Sequence, residues 1–200
     1  MPVKPARIGK SRLGAAVEIV RAIALDTIAA AARASRVGRV IVVTGDAELV
    51  AGLADAGVAV EVVDDEPPRG LEGAIRAGLD RADPSHPRAV LLGDLPSLDP
   101  RELDDALLAA AAHPRAFVPD AEGTGTSLVT ALAGVELMES FGADSAGRHR
   151  DLGLVELTAP ATSGLRRDVD TPDQLRAVAA RGIGRFTRAA LASAAHVGGE

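Results

Sequence analysis

Ala89-Val90-Leu91-Leu92-Gly93-Asp94-Leu95-Pro96 is the stretch that decides the fold. Its apolar run has no alternation, which predicts a strand buried on both faces, in the middle of a parallel sheet covered by helices. The run ends in a glycine, a carboxylate and a proline. Ligands of open α/β sheets bind beyond the carboxyl ends of the strands, so Asp94 is placed to meet a ligand or a metal ion. The alternative is that Asp94 only shapes the turn.

Helices and strands are predicted to alternate on both sides of this run. Apolar spacing, caps and Gly or Pro breaks predict helix 13–35, strand 39–44, a helix that Asp46 caps, strand 58–63, helix 71–82 and, beyond the run, helix 99–112 with a capping box. Elements that alternate in this way are typical of an α/β fold with a parallel sheet and right-handed crossovers.

The pattern changes after residue 115. Two strands, 116–119 and 127–132, flank the Gly- and Thr-rich segment 120–126. This spacing predicts an antiparallel excursion beside the parallel sheet. The N–H and hydroxyl groups of the segment are candidates to hold an anion, and a plain hairpin connection is the alternative. A further short strand is predicted at 154–157.

Composition limits the class of protein. The 200 residues, 47% hydrophobic and 25% charged, predict one domain over 1–200 with a sizeable core. The absence of cysteine excludes disulfides and thiolate metal sites. A net charge of -6, with three Phe and no Trp or Tyr, argues against nucleic-acid binding. No stretch has the pattern of a signal peptide or a membrane span, so we expect a cytoplasmic protein without a membrane partner.

The only lysines of the chain, Lys4 and Lys10, lie in its first ten residues. Lys4 ends a predicted first strand, and Lys10 lies in the loop 5–12 that leads into a helix. A helix N-terminus presents backbone N–H groups and a partial positive charge, so this loop is a candidate phosphate cradle. The P-loop spacing is missing, and a solvated basic arm is the alternative.

Two carboxylates lie close together in Arg167-Asp168-Val169-Asp170. In extended backbone Asp168 and Asp170 share one face, because side chains alternate along a strand. With no lysine nearby, such a pair suits Mg²⁺, which takes one or two carboxylates together with phosphate oxygens and water. Together with Asp94 they form a candidate metal site. The alternative is that one of the pair only caps the helix predicted to begin at Thr171-Pro172.

The segment from Phe141 to Arg150 combines small residues, a hydroxyl and three cationic or titratable groups. This composition suits recognition of a small anionic molecule. The alternative is a surface helix with solvated charges, in which His149 makes only a local contact.

The order of these motifs resembles the guanylyltransferases of deazaflavin coenzyme (F-420) biosynthesis. The resemblance spans almost the whole chain. It is strongest to the actinobacterial branch of the family, which acts on phosphoenolpyruvate, whereas the archaeal relatives use 2-phospho-L-lactate. The motifs that carry it are Lys4, Lys10-Ser11-Arg12-Leu13, Gly93-Asp94-Leu95-Pro96, Gly123-Thr124-Gly125-Thr126, Phe141-Gly142 with Ser145 and Arg148-His149, and Asp168-Val169-Asp170-Thr171-Pro172.

The resemblance implies an α/β, three-layer, nucleotide-diphospho-sugar-transferase-like (Rossmann-like) fold with a mostly parallel central sheet. It implies a Mg²⁺-dependent enzyme, with one or two ions, that converts GTP and phosphoenolpyruvate to enolpyruvyl-diphospho-5'-guanosine and pyrophosphate. The partners implied are these small molecules and the downstream transferase that uses the product.

The resemblance also assigns roles to individual residues. The metal ligands are Asp94, Asp168 and Asp170, which with Lys4 form the catalytic set; the acceptor-binding residues are Ser127, Gly142, Ser145 and Arg148; the nucleotide-binding residues are Lys10, Arg12, Gly70 and Leu71. Lys4 is placed near the acceptor phosphate.

Alternative functions remain open at this point. They are the same transfer to 2-phospho-L-lactate or 3-phosphoglycerate, a cytidylyl- or molybdopterin-type nucleotidyltransferase, and a catalytically silent GTP-binding domain. The sequence departs from the family in two places. The chain begins at Met1-Pro2-Val3-Lys4, where relatives have several more apolar residues, so we expect a start further upstream or a shortened first strand. Glu72 stands where relatives commonly carry Asn, at the predicted guanine and ribose site.

Overall fold

The structure is a computed structural model that describes residues 1–6 and 17–197. The helices are α1 Val17–Arg33, α2 Ala47–Asp55, α3 Gly70–Leu79, α4 Pro100–Ala110, α5 Ser145–Asp151, α6 Pro172–Ala179 and α7 Arg185–Val197, with a short 3-10 helix at Gly164–Arg166. The strands are β1 Ile41–Thr44, β2 Glu61–Asp64, β3 Arg88–Leu91, β4 Arg115–Pro119, β5 Thr126–Ala131 and β6 Val155–Glu156. The predicted α/β alternation is confirmed.

The strands form a parallel pair, β1 and β2, and a four-stranded sheet in the order β3-β5-β4-β6. Residues 1–3 connect the two. They run parallel to β1, with Val3 N–H donating to Val43 O at 2.9 Å. On the other side Val3 packs on Gly93, where an added Cβ would lie only 2.8 Å from Val3 Cγ2. The first three residues therefore lie between the two groups of strands.

Strand β5 lies between β3 and β4 and is antiparallel to both. The sequence predicted an antiparallel excursion beside the sheet, and the structure instead inserts this strand into it. As a result β3 has an antiparallel neighbour, whereas its apolar run predicted a place within parallel strands. Every residue of β5 is buried, which suits a central strand covered on both faces. The run of β3 therefore indicated burial correctly at Val90 and Leu91, which lie in the two cores, but Ala89 is exposed, and the run did not indicate strand direction.

Side chains alternate between two cores on opposite faces of the sheet. Val118 and Leu128 face the core formed with α1, α2 and α4, while Phe117 and Val129 face the core that includes Ile75 of α3 and residues of α5. Three layers result, as the family resemblance implied. No helix of residues 1–6 and 17–197 has the length and apolarity needed to cross a membrane.

The predicted helix caps are confirmed. Asp46 accepts from Leu49 N–H at the start of α2, and both Asp99 with Glu102 and Thr171 with Gln174 form capping boxes. These caps fix where α2, α4 and α6 begin.

Helix α7 has no counterpart among the sequence predictions. It packs on α1, and the buried carboxylate of Asp26 accepts hydrogen bonds from Phe186 N–H at 3.1 Å and Thr187 N–H at 2.8 Å. Asp26 therefore caps a helix some 160 residues away in the chain. The residue before this helix, Gly184, donates its N–H to Pro96 O at 2.8 Å, so α7 is tied to the loop after β3.

Candidate active site

The backbone of Asp94 is held from two sides at the end of β3. Leu95 N–H donates to the buried hydroxyl of Thr27 on α1 at 2.9 Å, and Val169 N–H donates to Asp94 O at 3.1 Å. The second bond brings the segment 168–170 beside Asp94. The two parts of the chain that the sequence paired as a candidate metal site are therefore adjacent in the fold.

Asp168 is at the centre of an acidic group. Val169 is fully buried and Asp170 is exposed, so the segment keeps the alternation expected of extended backbone although it belongs to no strand. Burial raises the pKa of Asp168 most, the negative charges of Asp94, Asp170 and Asp120 add to the effect in that order, and together they bring the pKa to about 7. Like charges held together at this cost are typical of a site that binds a cation.

Two further carboxylates, Asp120 and Glu122, extend the acidic group. One carboxylate oxygen each of Asp120, Glu122 and Asp168 lies within 4.8 Å of the others. The sequence predicted an anion-holding loop or a hairpin for this segment, with no connection to Asp168. A carboxylate directly after a strand that ends at the same edge as Asp94 was the available signal.

The side chain of Asp120 also organises its own loop. It accepts hydrogen bonds from Thr124 N–H at 3.0 Å and Gly125 N–H at 2.7 Å. These N–H groups belong to the segment that the sequence predicted as a candidate to hold an anion. In the structure they donate to the Asp120 carboxylate instead. The segment is the hairpin connection between β4 and β5.

Arg166 fixes the position of Asp120 from below the loop. Its guanidinium donates to Asp120 O at 2.7 and 3.1 Å, to Pro119 O at 3.1 Å and to Ala159 O at 3.1 Å. All of these hydrogen bonds of the Arg166 guanidinium go to backbone carbonyl oxygens and none to a carboxylate. Beside them lies a cleft of about 280 Å³ lined by Ala121, Glu122, Arg167, Asp168, Asp173, Gln174, Ala177 and Val178.

The acidic group fits a divalent cation. Oxygen ligands of this kind are what Mg²⁺ binds in proteins. The buried Oδ1 of Asp168 accepts no hydrogen bond from the described part of the chain, and an unsatisfied buried carboxylate oxygen is costly. A cation at this place would satisfy that oxygen and offset the repulsion among the carboxylates.

A second polar region lies at loop 139–144 and the start of α5. Gly142 has a φ of +112°, and an added Cβ would lie 3.4 Å from Arg148 Nη2. Arg148 donates to Ser140 Oγ at 2.9 Å, to Ser140 O at 3.0 Å and to Phe141 O at 2.9 Å, and it also contacts Ala143 O. The structure thus places Arg148 as a clamp on the loop that carries Gly142.

His149 lies under this loop and is fully buried. Its ring packs 5.5 Å from the centroid of Phe117 and 5.4 Å from that of Phe141. Burial, followed by the charge of Arg148, lowers the pKa of His149 to about 4, so the ring is neutral. The local role that the sequence analysis left open for His149 is the one the geometry shows.

The predicted acceptor residues Ser127 and Ser145 are both buried. Ser145 begins α5 and donates its N–H to Gly142 O at 3.1 Å, and Ala146 N–H donates to Thr124 O at 3.0 Å. The hydroxyl of Ser127 donates weakly to Val118 O at 3.4 Å. Helix α5 is thus joined to the hairpin loop that carries Asp120.

The predicted nucleotide residues Gly70 and Leu71 lie at the start of α3, on the same side as loop 139–144. Gly70 has a φ of +74°, and Leu71 packs against the same core cluster as Phe141. Burial raises the pKa of Glu139, and the charge of Glu72 raises it further. The departure at position 72 therefore places a carboxylate beside the loop.

Lys4 is exposed and follows Val3, whereas Asp94 follows Gly93, the residue on which Val3 packs. The two predicted catalytic residues, Lys4 and Asp94, are therefore the next residues along two segments that pack against each other. Lys10 and Arg12, predicted to bind the nucleotide phosphates, lie outside the described residues.

Comparison with known proteins identifies the family. Residues 9–159 match the MobA-like NTP transferase domain. The phosphoenolpyruvate guanylyltransferase of Streptomyces coelicolor is 44% identical over 201 residues, which cover 96% of this chain and 94% of that protein. This chain belongs to the phosphoenolpyruvate guanylyltransferase family. The family member of Geodermatophilus obscurus is 49% identical over 88% of this chain and 80% of its own, and that of Mycolicibacterium smegmatis is 45% identical over 88% and 79%.

Solved structures agree with the fold of this guanylyltransferase family member. A nucleotidyl transferase from Methanothermobacter has a TM-score of 0.59 at 21% identity, covering 84% of this chain and 81% of that one. A putative nucleotide-diphospho-sugar transferase from Desulfovibrio desulfuricans has a TM-score of 0.57 at 18% identity, covering 94% and 95%. The nucleotide-diphospho-sugar-transferase-like fold that the resemblance implied is confirmed.

Proposed function

We propose that this protein transfers GMP from GTP to the phosphate of phosphoenolpyruvate, giving enolpyruvyl-diphospho-5'-guanosine and pyrophosphate. The observation that carries the proposal is the 44% identity over 96% of the chain to a protein named for this activity. The acidic group at the carboxyl end of β3 supports it, since a reaction between two negatively charged phosphorylated substrates needs a site where their charge is balanced, and carboxylates can hold the cation that does so.

The chemistry needs no nucleophilic side chain. An oxygen of the acceptor phosphate is ionised at neutral pH and attacks the α-phosphorus of GTP. A new P–O bond forms as the bond from the α-phosphorus to the α,β-bridging oxygen breaks, and its electron pair leaves with pyrophosphate. The protein has to hold acceptor and donor in line and to balance the charge on their oxygens.

We propose that Asp94, Asp168 and Asp170 hold Mg²⁺. The ion would supply charge neutralisation at the phosphate oxygens, and the family resemblance allows one or two ions. The backbone at Asp94 is held by the hydrogen bonds at Leu95 N–H and at its own carbonyl oxygen, which place the residue beside the segment 168–170. Asp120 and Glu122 add negative charge beside it, which strengthens attraction for a cation.

The cationic residues act on the substrates in this proposal. Lys4, at the edge shared with Asp94, would contact the acceptor phosphate, and Lys10 and Arg12 would contact the GTP phosphates. A compact ammonium is suited to a phosphate as a point charge. Gly70 and Leu71 would border the nucleotide, while Ser127, Gly142, Ser145 and Arg148 would border the acceptor.

The experiment is pyrophosphate release from GTP with phosphoenolpyruvate, 2-phospho-L-lactate and 3-phosphoglycerate in parallel. Each is run with Mg²⁺ and with a chelator, and GTP is then replaced by CTP and ATP. We expect release with GTP, phosphoenolpyruvate and Mg²⁺, and none without acceptor. Release only with another acceptor would change the substrate. GTP binding with no release for any acceptor would favour the silent GTP-binding domain.

The proposal extends to the cellular role. The product is a nucleotide-activated acid anhydride, so the reaction that follows must transfer the enolpyruvyl-phosphate group from it to another molecule with loss of GMP. We propose that this takes place in the cytoplasm in deazaflavin coenzyme F-420 biosynthesis, with the downstream transferase as the protein partner. A direct interaction would be checked by co-purification of the two proteins.

A further inference from the structure

Both ring nitrogens of His149 are engaged in hydrogen bonds that differ in direction. Nε2 accepts the backbone N–H of Ser140 at 2.9 Å, because an amide N–H can only donate. The neutral ring therefore carries its proton on Nδ1, which donates to Thr126 Oγ1 at 2.9 Å. The imidazole joins loop 139–144 to the first residue of β5 by one bond on each side.

Within residues 1–6 and 17–197, the loop that His149 holds has few other hydrogen-bonded anchors. Arg148 clamps it from the outside through Ser140, Phe141 and Ala143. On the side of the sheet, Ser140 N–H donates to His149 Nε2 and the Phe141 ring packs edge-on against the same imidazole, so His149 contacts two consecutive residues of the loop. Gly142 and Ser145, two of the four acceptor residues implied by the resemblance, follow within five residues of Ser140.

We infer that His149 is a positioning residue for the acceptor, acting through its Nε2 bond to Ser140 N–H. The inference rests on the proposed function, because it assigns to loop 139–144 the binding of the three-carbon phosphorylated acid. The ring does not contact substrate: it is fully buried beneath the loop. It sets where the backbone of Gly142 and the start of α5 meet the acceptor.

The chemistry of the ring makes this role specific to histidine. Its two nitrogens lie in one rigid plane between two phenylalanine rings, so both bonds are made at little cost in side-chain entropy. A Gln side chain can place an amide oxygen where Nε2 lies and accept from Ser140 N–H. An Asn side chain is shorter and reaches only the Nδ1 position, toward Thr126.

The test compares His149→Gln with His149→Asn in the pyrophosphate-release assay, with KM measured separately for phosphoenolpyruvate and GTP. We expect His149→Asn to raise KM for phosphoenolpyruvate roughly ten-fold, the loss of about one hydrogen bond's worth of positioning, with KM for GTP changed less than about two-fold. His149→Gln should recover most of this loss. The same two substitutions at His86, which is exposed, serve as the matched control and should change neither constant.

Thr126→Val separates positioning from loss of stability. It removes the partner of Nδ1 and leaves the Ser140 contact in place, so we expect a lower melting temperature with KM for phosphoenolpyruvate within about two-fold of the wild type. If His149→Asn does not fold, His149→Gln and Thr126→Val are compared instead. Both variants are then expected to keep a KM for phosphoenolpyruvate close to that of the wild type. Assays are run where circular dichroism shows each variant folded.

Three outcomes would overturn the inference. Equal effects of His149→Gln and His149→Asn would assign the ring to core packing alone, as would a Thr126→Val variant with a strongly raised KM for phosphoenolpyruvate. An equal rise in KM for GTP would show that the loop does not serve the acceptor. A wild-type protein that releases no pyrophosphate with any acceptor would instead contradict the proposed function, and that result is seen before any variant is made.

Discussion

The acidic group around Asp168 and the buried ring of His149 are the two polar regions beside the proposed substrates, and they are built in opposite ways. At His149 each polar atom has a partner, and the charge has been removed by lowering the pKa. At Asp168 an oxygen is buried without a hydrogen bond from a described residue, and like charges raise the pKa. The first arrangement stabilises the fold, while the second lowers its stability, as expected at the proposed cation site.

The sharpest way to break this comparison is Asp94→Asn. If the acidic group is the reaction site, the variant should lose activity by roughly a thousand-fold, because a charge that balances the transition state is removed from a preorganised place. The fold should persist, since the hydrogen bonds at Leu95 N–H and Asp94 O are made by backbone atoms that the substitution leaves in place. Pyrophosphate release and circular dichroism check this.

Asp55→Asn is the control for that variant, because Asp55 is an exposed residue at the end of α2. It should keep wild-type activity. Full activity in Asp94→Asn would contradict the assignment of the acidic group to catalysis.

His149→Leu sharpens the other side of the comparison through pH. The folded pKa of His149 is about 4 against 6.5 for the unfolded chain, so between these values only the unfolded chain binds the proton. The wild type should lose stability as pH falls from 6.5 to 4, by about 3 kcal/mol, and this loss should be missing in the variant.

Urea unfolding at several pH values measures it. The variant should be less stable than the wild type at pH 7, where two buried polar partners lose their bonds, and the gap should narrow toward pH 4. A constant gap would show that His149 does not remain neutral in the folded protein.

Asp168→Asn should make the protein more stable when a chelator is present. The folded pKa of Asp168 is about 7 and the unfolded value 3.8, so the wild type loses stability as pH rises between them, and an uncharged amide does not. We expect a melting temperature a few degrees above that of the wild type at pH 7, and little difference at pH 4.

Thermal unfolding with a chelator and with Mg²⁺ measures this effect. Added Mg²⁺ should raise the melting temperature of the wild type and leave that of Asp168→Asn nearly unchanged. A variant less stable than the wild type at pH 7 with chelator would contradict the view that the carboxylates repel one another.

The smallest expected effect concerns Asp26, a buried carboxylate with both oxygens hydrogen-bonded. Asp26→Asn should lower the free energy of unfolding by about 1 kcal/mol, the usual value of a helix cap, because one oxygen acceptor and the charge at the start of α7 are lost. Urea unfolding at pH 7 checks it. If Asp26→Asn were more stable than the wild type, the charge of Asp26 would lower stability, as we expect for Asp168, and the helix-cap role would be contradicted.

Local signals in the sequence predicted much of the fold. The caps at Asp46, Asp99 and Thr171 depend on a few neighbouring residues, and the structure confirms all three. The place of β5 could not be predicted in this way, since an apolar strand records burial but not the direction of its neighbours. Helix α7 was missed because its cap, Asp26, comes from the other end of the chain.

The candidate site was predictable where an acidic residue ends a strand or alternates along extended backbone. That reasoning paired Asp94 with Asp168 and Asp170, and the structure brings them together. It did not find Asp120, because its loop contains Gly and Thr and could equally hold an anion. Only the tertiary fold shows that the Asp120 carboxylate takes the N–H groups of that loop itself.

The hydrogen bond from Gly184 N–H to Pro96 O connects α7 to the loop that carries Asp94, so we expect motions of the helix and of the loop to be coupled. Asp26 holds α7, and its neighbour Thr27 holds Leu95, so separation of α7 from α1 would disturb two consecutive anchors of the loop after β3. Amide hydrogen exchange at Leu95, Thr187 and Gly184 should then proceed at similar rates, as expected of one cooperative opening unit. The carboxyl-terminal helix would thereby report, from a distance, on how often the Asp94 loop opens.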